Sequence, residues 1–174
     1  MFFHQTRTKK PSKYAKTSQA RSLVLPKNIP VDHDPMPAAY ACAIIFDPLR
    51  GLLLEARGAT ARHAAGHLTC FGGRQEEGES IEDCLRRELR EEIGYTPEWI
   101  RFALTFHRYK DGILTHSADF FEVAAPIGTP VCLVPDHQAL WVADWKNANL
   151  SPWHACALQD WKLGNTVSTF VSKQ

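Results

Sequence analysis

The stretch that most constrains this chain is residues 73–95, reading GRQEEGESIEDCLRRELREEIGY. Ile81, Leu85, Leu89 and Ile93 recur every four residues, which predicts a helix over 81–93 with one apolar stripe. Ser80 stands at the N-cap, and Asp83 follows three residues later in the capping-box position. Gly94 sits where a C′ glycine ends a helix. Residues four apart differ by only about 40° around the axis, so Glu88 and Glu92 project together, with Glu91 close beside them. Carboxylates this close repel one another. A hard divalent cation relieves that repulsion, and oxygen ligands suit magnesium or manganese. Arg87, four residues before Glu91, is placed to hold a carboxylate by a bidentate bond. Taken alone, the run RRELREE also reads as the solvated face of a helix.

The spacing as a whole is more specific. Gly73, Glu79, Arg87, Glu88, Leu89, Glu91, Glu92 and Gly94 fit the pattern G-x5-E-x7-R-E-U-x-E-E-x-G-U, where U is bulky and apolar. The last U is Tyr95, aromatic where an aliphatic residue is usual. This stretch resembles the Nudix box of the Nudix hydrolases. The resemblance implies an α+β fold, an α/β/α sandwich with a mixed β-sheet between helices, and a loop–helix–loop that holds Mg2+ (or Mn2+). It implies hydrolysis of a nucleoside diphosphate linked to a further group. Glu88, Glu92 and Glu91, with the backbone of Gly73, are then the expected metal ligands, and Arg87 and Glu91 the expected catalytic groups. Water attack on phosphorus needs both a cation to neutralise phosphate charge and a base to take a proton.

Composition sets the rest of the frame. A chain of 174 residues with 44% hydrophobic residues fits one domain with a substantial core, and no apolar run approaches the ~20 residues of a membrane span. Five widely spaced cysteines without a C-x-x-C pair indicate neither a zinc site nor a disulfide scaffold, so a reducing, cytoplasmic setting is expected. The net charge of +1 hides an asymmetry, because residues 1–30 carry seven cations and no acid. Residues 1–37, broken by five prolines, read as a loosely packed basic arm before a domain at 38–174. A transit peptide, or electrostatic contact with nucleic acid or a phosphorylated partner, are the other readings of that arm.

Along the domain, 38–46 and 52–57 read as a strand hairpin around the turn at Asp47 to Gly51, and 67–71 as a short strand leading to Gly72 and Gly73. Strands follow at 99–108, 113–123 and 137–142, then a short helix at 144–150. Ser151 and Pro152 are a good N-cap and N1 for a helix reaching about residue 163.

Outside the box, Arg57 ends a strand, where it grips a phosphate or is simply a surface arginine. Glu76 matches a glutamate often seen at that place in the family, and Arg74 adjoins it as a further substrate-binding candidate. Asp136 opens DHQALW, where many Nudix proteins place an acidic residue that helps the metal or acts as base; it competes with Glu91 for that role. Trp153 and His154 are candidate walls of a nucleobase pocket, whereas His107 and His116 read as surface or satisfied histidines. A fragment of the coenzyme A hydrolase pattern aligns at Leu53, Leu54, Arg57, Arg62, Gly66, Gly72 and Gly73, but Glu55 replaces its threonine and Cys70-Phe71 its Phe-Pro. The expected reaction is hydrolysis of a (d)NTP to monophosphate and pyrophosphate. The alternatives are an ADP-ribose or coenzyme A pyrophosphatase, and a nucleotide- or RNA-binding regulatory module. The expected partner is a small-molecule nucleotide, with no membrane, and there is room for a homodimer.

Overall fold

The apolar stripe at four-residue spacing forms the helix it predicts. In the computed structural model, which describes residues 38–172, α1 spans Ile81–Ile93, with Cys84, Leu85, Leu89 and Ile93 buried. The Asp83 amide donates to the Ser80 hydroxyl oxygen at 3.1 Å, and that hydroxyl donates to the Asp83 carboxylate at 2.7 Å. At the other end Gly94 takes the left-handed conformation (φ 61°), and Tyr95 N–H reaches back to the Leu89 carbonyl. These caps fix both ends of the helix, and with them the direction in which its polar face points.

The strands are β1 (Ala38–Asp47), β2 (Gly51–Ala56), β3 (Leu68–Thr69), β4 (Gly72–Arg74), β5 (Ile100–Lys110), β6 (Ile113–Val123), β7 (Gln138–Val142) and β8 (Val167–Ser172). Their order in the sheet is β3-β2-β1-β6-β5-β8, with β4 paired to β1 and β7 to β2. β1 runs parallel to β6 and β5 parallel to β8, while the other pairs are antiparallel, so the sheet is mixed. Strand alternation divides the core in two. Ala41, Ala43, Ile45, Leu53 and Phe121 face α1. Cys42, Ile44, Leu52, Leu54 and Phe120 face the other side, against α2 (Pro152–Lys162). This is the α/β/α sandwich.

Three sequence expectations change. The 38–46 and 52–57 hairpin pairs only at its turn (Phe46 with Leu52, Asp47 with Gly51), because β2 peels away to a five-residue ladder with β7. The strand expected at 67–71 is split into β3 and β4, which pair with β2 and β1 respectively. The helix expected at 144–150 is one 3-10 turn, Trp145–Asn147. β8 was not anticipated. The basic arm and its expected contacts lie outside the described residues. Among the described residues no helix is long and apolar enough to cross a membrane.

Leu89 is wholly buried against the sheet. Leu89→Ala should lose ~2–5 kcal/mol by transfer and cavity terms, against about 1 kcal/mol for Ser80→Ala at the cap. Urea unfolding of the two variants should show that ranking; equal small losses would mean that α1 is not held by its stripe.

Candidate active site

With its apolar stripe on the sheet, α1 turns its glutamates towards the loop that precedes it, and Arg87 gathers them. Its Nη2 donates to Glu79 Oε1 at 2.9 Å and its Nε to Glu79 Oε2 at 3.2 Å, a bidentate pair. Its Nη1 donates to Glu88 at 2.8 Å and Glu91 at 3.1 Å, and Nη2 also reaches the Arg74 carbonyl at 3.0 Å. Arg87 and the Glu76 amide together hold the Glu79 carboxyl down at about 2. One guanidinium thus ties strand β4, the loop and the helix together.

Glu88 and Glu92 behave differently. Both are half-buried at the edge of a cavity, and burial pushes both pKa values up. Glu92 reaches about 8, through burial and then the neighbouring charges of Glu55 and Glu88, despite the Gly72 amide donating to it at 2.8 Å. A Cβ on Gly73 would fall onto the Glu88 carboxylate, so only glycine leaves this approach clear. Among the described residues no three acidic, histidine or cysteine side chains converge into a closed ligand set, since Arg87 holds Glu88 and Glu91. The donors nevertheless fit a divalent cation: two hard, half-buried carboxylates at the edge of the cavity, beside a glycine with no side chain.

The cavity runs from these carboxylates across the α2 side of the sheet and encloses about 690 Å³, within the size range of small-molecule sites. Arg57 stands in its wall. Nη1 of Arg57 donates to Glu55 at 2.8 Å and Nε to the His63 carbonyl at 3.0 Å. Glu55 itself is buried, and it also accepts from Thr69 Oγ1 at 3.0 Å while pairing with His137 Nδ1. A buried carboxylate with three partners is a rigid mount for the arginine. At the far end Trp153 packs on His116 (5.3 Å between centroids), and His116 on Tyr40 (5.8 Å). His154 contacts the Ser151 hydroxyl at 2.6 Å; burial, then the charge of Arg57, holds it down at about 4, so it is neutral.

A NUDIX domain family model matches residues 36–155. The chain belongs to the NUDIX family. Its structure is similar to MutT from a study of the Aliivibrio salmonicida and Vibrio cholerae proteins, at 27% identity and TM-score 0.58, over 72% of this chain and 96% of that one. MutT NUDIX hydrolase from Burkholderia pseudomallei is similar at 25% identity and TM-score 0.59, over 71% and 96%. The NUDIX domain of Shewanella oneidensis NrtR, complexed with ADP ribose, shares the fold at 17% identity and TM-score 0.59, over 76% and 93%. This is a Nudix pyrophosphohydrolase, of a family that generally uses divalent metal ions.

The Nudix domain brings together Gly73, Glu88, Glu92, Arg57, Trp153 and His154 around one cavity. Glu91 does not line this cavity: its side chain is 60% exposed and shares the Arg87 Nη1 with Glu88. Arg74 and Glu76 line a shallower groove on the other side of Glu88. Asp136 is exposed with φ 62°, its backbone against Gly58, and does not line the cavity. His116 does line it, which its sequence setting did not suggest. Tyr40, Arg108 and Glu55 carried no sequence signal as site residues, apart from the place where Glu55 departs from a threonine.

In the metal-free protein Glu92 holds a proton that the unfolded chain has lost, so stability falls as pH rises from the ordinary carboxylate value of 4.5 towards about 8. His154 has the opposite slope, losing stability as pH falls from 6.5 towards about 4. Above about pH 6.5 only the Glu92 slope is left of these two. Chelated protein should therefore melt lower at about pH 8.5 than at about pH 6.5, and Glu92→Gln should flatten that decline. Identical pH profiles for the two proteins would contradict the buried, proton-holding Glu92.

Proposed function

We propose that this Nudix pyrophosphohydrolase hydrolyses a (d)NTP to its monophosphate and pyrophosphate, with Mg2+ or Mn2+ held by Glu88, Glu92 and the Gly73 backbone. The observation that carries the reading is the continuity of one cavity from Glu88 and Glu92, past Arg57, to the aromatic cluster of Trp153, His116 and Tyr40. A charged phosphate chain fits the first part. A flat base fits the last, since stacking on an aromatic face is available to every base.

The metal, when bound, neutralises phosphate charge and lowers the pKa of a bound water. The chain supplies the rest. Arg57, mounted on Glu55 and the His63 carbonyl, presents its remaining nitrogen to a phosphate oxygen. Arg87 keeps Glu88 from swinging into solvent. Glu91, joined to Glu88 through Arg87, and Asp136, on the segment tethered by the His137–Glu55 pair, are the two candidate bases. ADP ribose or another nucleoside diphosphate derivative is the second reading, supported by the ADP-ribose-bound NUDIX domain of the same fold. A purely regulatory nucleotide- or RNA-binding role would not require the half-buried Glu88–Glu92 pair.

Turnover should require Mg2+ or Mn2+ and stop with chelator. Glu88→Gln and Glu92→Gln should each lose at least ~10²-fold in kcat, the lower end of a general acid–base contribution, and both should stay folded. Mass spectrometry of products from a panel of (d)NTPs, ADP-ribose and coenzyme A then names the bond cleaved. Full activity in both variants would remove the hydrolytic site from this helix. A large loss in Asp136→Asn with metal affinity intact assigns the base to Asp136; a near-normal rate assigns it to Glu91.

A further inference from the structure

We propose that Arg108 reads the base of the substrate, and that the pocket thereby selects an oxo group over an amino group at the base edge facing it. The inference rests on the triphosphate reading above and adds the class of base to it.

Arg108 belongs to the end of the cavity remote from the carboxylates. On β1, Cys42 pairs with Gly72 beside Glu92, while Ala38 pairs with His116 on β6, and His116 pairs with Arg108 on β5. Arg108 is therefore four residues along and two strands across from the carboxylate end, roughly 13 Å by 10 Å at ordinary strand spacings. Arg57 is the cation of the phosphate end. A second arginine, at the end remote from the carboxylates, is placed for the other end of a nucleotide.

The β5–β6 register shifts immediately after Arg108, and the Thr115 hydroxyl donates to the Arg108 carbonyl at 3.1 Å. The extra residue is Thr115 on β6, opposite Arg108, so the partner strand is locally adjusted at this position. The guanidinium lies over the Trp153 ring, 4.7 Å from its centroid, which fixes its plane. Among the described residues Arg108 Nε is one of only two buried side-chain nitrogen or oxygen atoms without a hydrogen-bond partner. The carboxylates lining the cavity are Glu88 and Glu92, both at the opposite end. So no carboxylate lining the cavity stands beside this guanidinium, and it lines the space that a substrate would enter.

An arginine offers donors and no acceptor. It pairs with the 6-oxo oxygen of a purine or the 4-oxo oxygen of a pyrimidine. An amino group at the same place turns its own hydrogens towards it and leaves both unpaired. A good arginine–base pair discriminates by about fivefold to about 150-fold.

The test is kcat/KM for ITP against ATP and for UTP against CTP. Each pair differs only at the 6- or 4-position and the adjoining ring nitrogen. The expected result is a preference for ITP and UTP of at least about fivefold. Arg108→Met, which keeps the length over Trp153, should bring both ratios towards one. Arg108→Gln, which carries a donor and an acceptor, should move the purine ratio towards ATP. If Arg108→Met does not fold, the wild-type ratios and the glutamine variant decide. Equal turnover of each pair by the wild type overturns the Arg108 assignment and leaves the triphosphate reading standing. A uniform loss in Arg108→Met with ratios intact also overturns it, since that marks a phosphate or sugar contact. No turnover of the four, of their 2′-deoxy forms or of GTP and dGTP overturns the triphosphate reading, and this inference with it.

Discussion

The arrangement depends first on Arg87. Three carboxylates, from Glu79 in the loop and Glu88 and Glu91 on the helix, converge on one guanidinium, which also bonds the Arg74 carbonyl. Without it the acidic face of α1 would repel the loop that precedes it. With it, the loop is drawn in and Glu88 is held against Gly73. The geometry needs arginine, because a lysine ammonium cannot present a bidentate edge to Glu79 and a second edge to Glu88 and Glu91.

The sheet then separates two jobs. Residues of β1, β2 and β6 that face α1 are packed only for stability, and they fix where the glutamates point. The opposite face is left partly open beside α2, and that opening is the cavity. Glu55 links the two halves of the site. From its buried position it fixes Arg57 at the phosphate end and holds His137, the neighbour of Asp136. A threonine at this position would offer one oxygen where three partners now share two.

Much of this was legible in the sequence where the signals are local. The stripe of Ile81, Leu85, Leu89 and Ile93, the Ser80 cap, the Gly94 stop and the Ser151-Pro152 start each depend on a few neighbouring residues, and each is realised in the structure. The less legible parts are long-range. β8 (Val167–Ser172) is a short run whose strand state depends on pairing with β5. β2 looked like the second half of a hairpin, but its main partner, β7, lies more than eighty residues away. The cavity unites Tyr40, Arg108, His116 and Trp153 from three strands and a helix, a grouping that only the register reveals. Helical periodicity placed Glu88 and Glu92 together, but it could not show that one Arg87 nitrogen is shared by Glu88 and Glu91.

The most direct measurement is a crystal structure of the protein grown with manganese, with diffraction data collected at the manganese absorption edge. A cation site built from Glu88 and Glu92 predicts an anomalous peak at the mouth of the cavity, bounded by those two carboxylates and beside Gly73. A peak only elsewhere, or manganese-soaked crystals in which both carboxylates lack a peak, would contradict it.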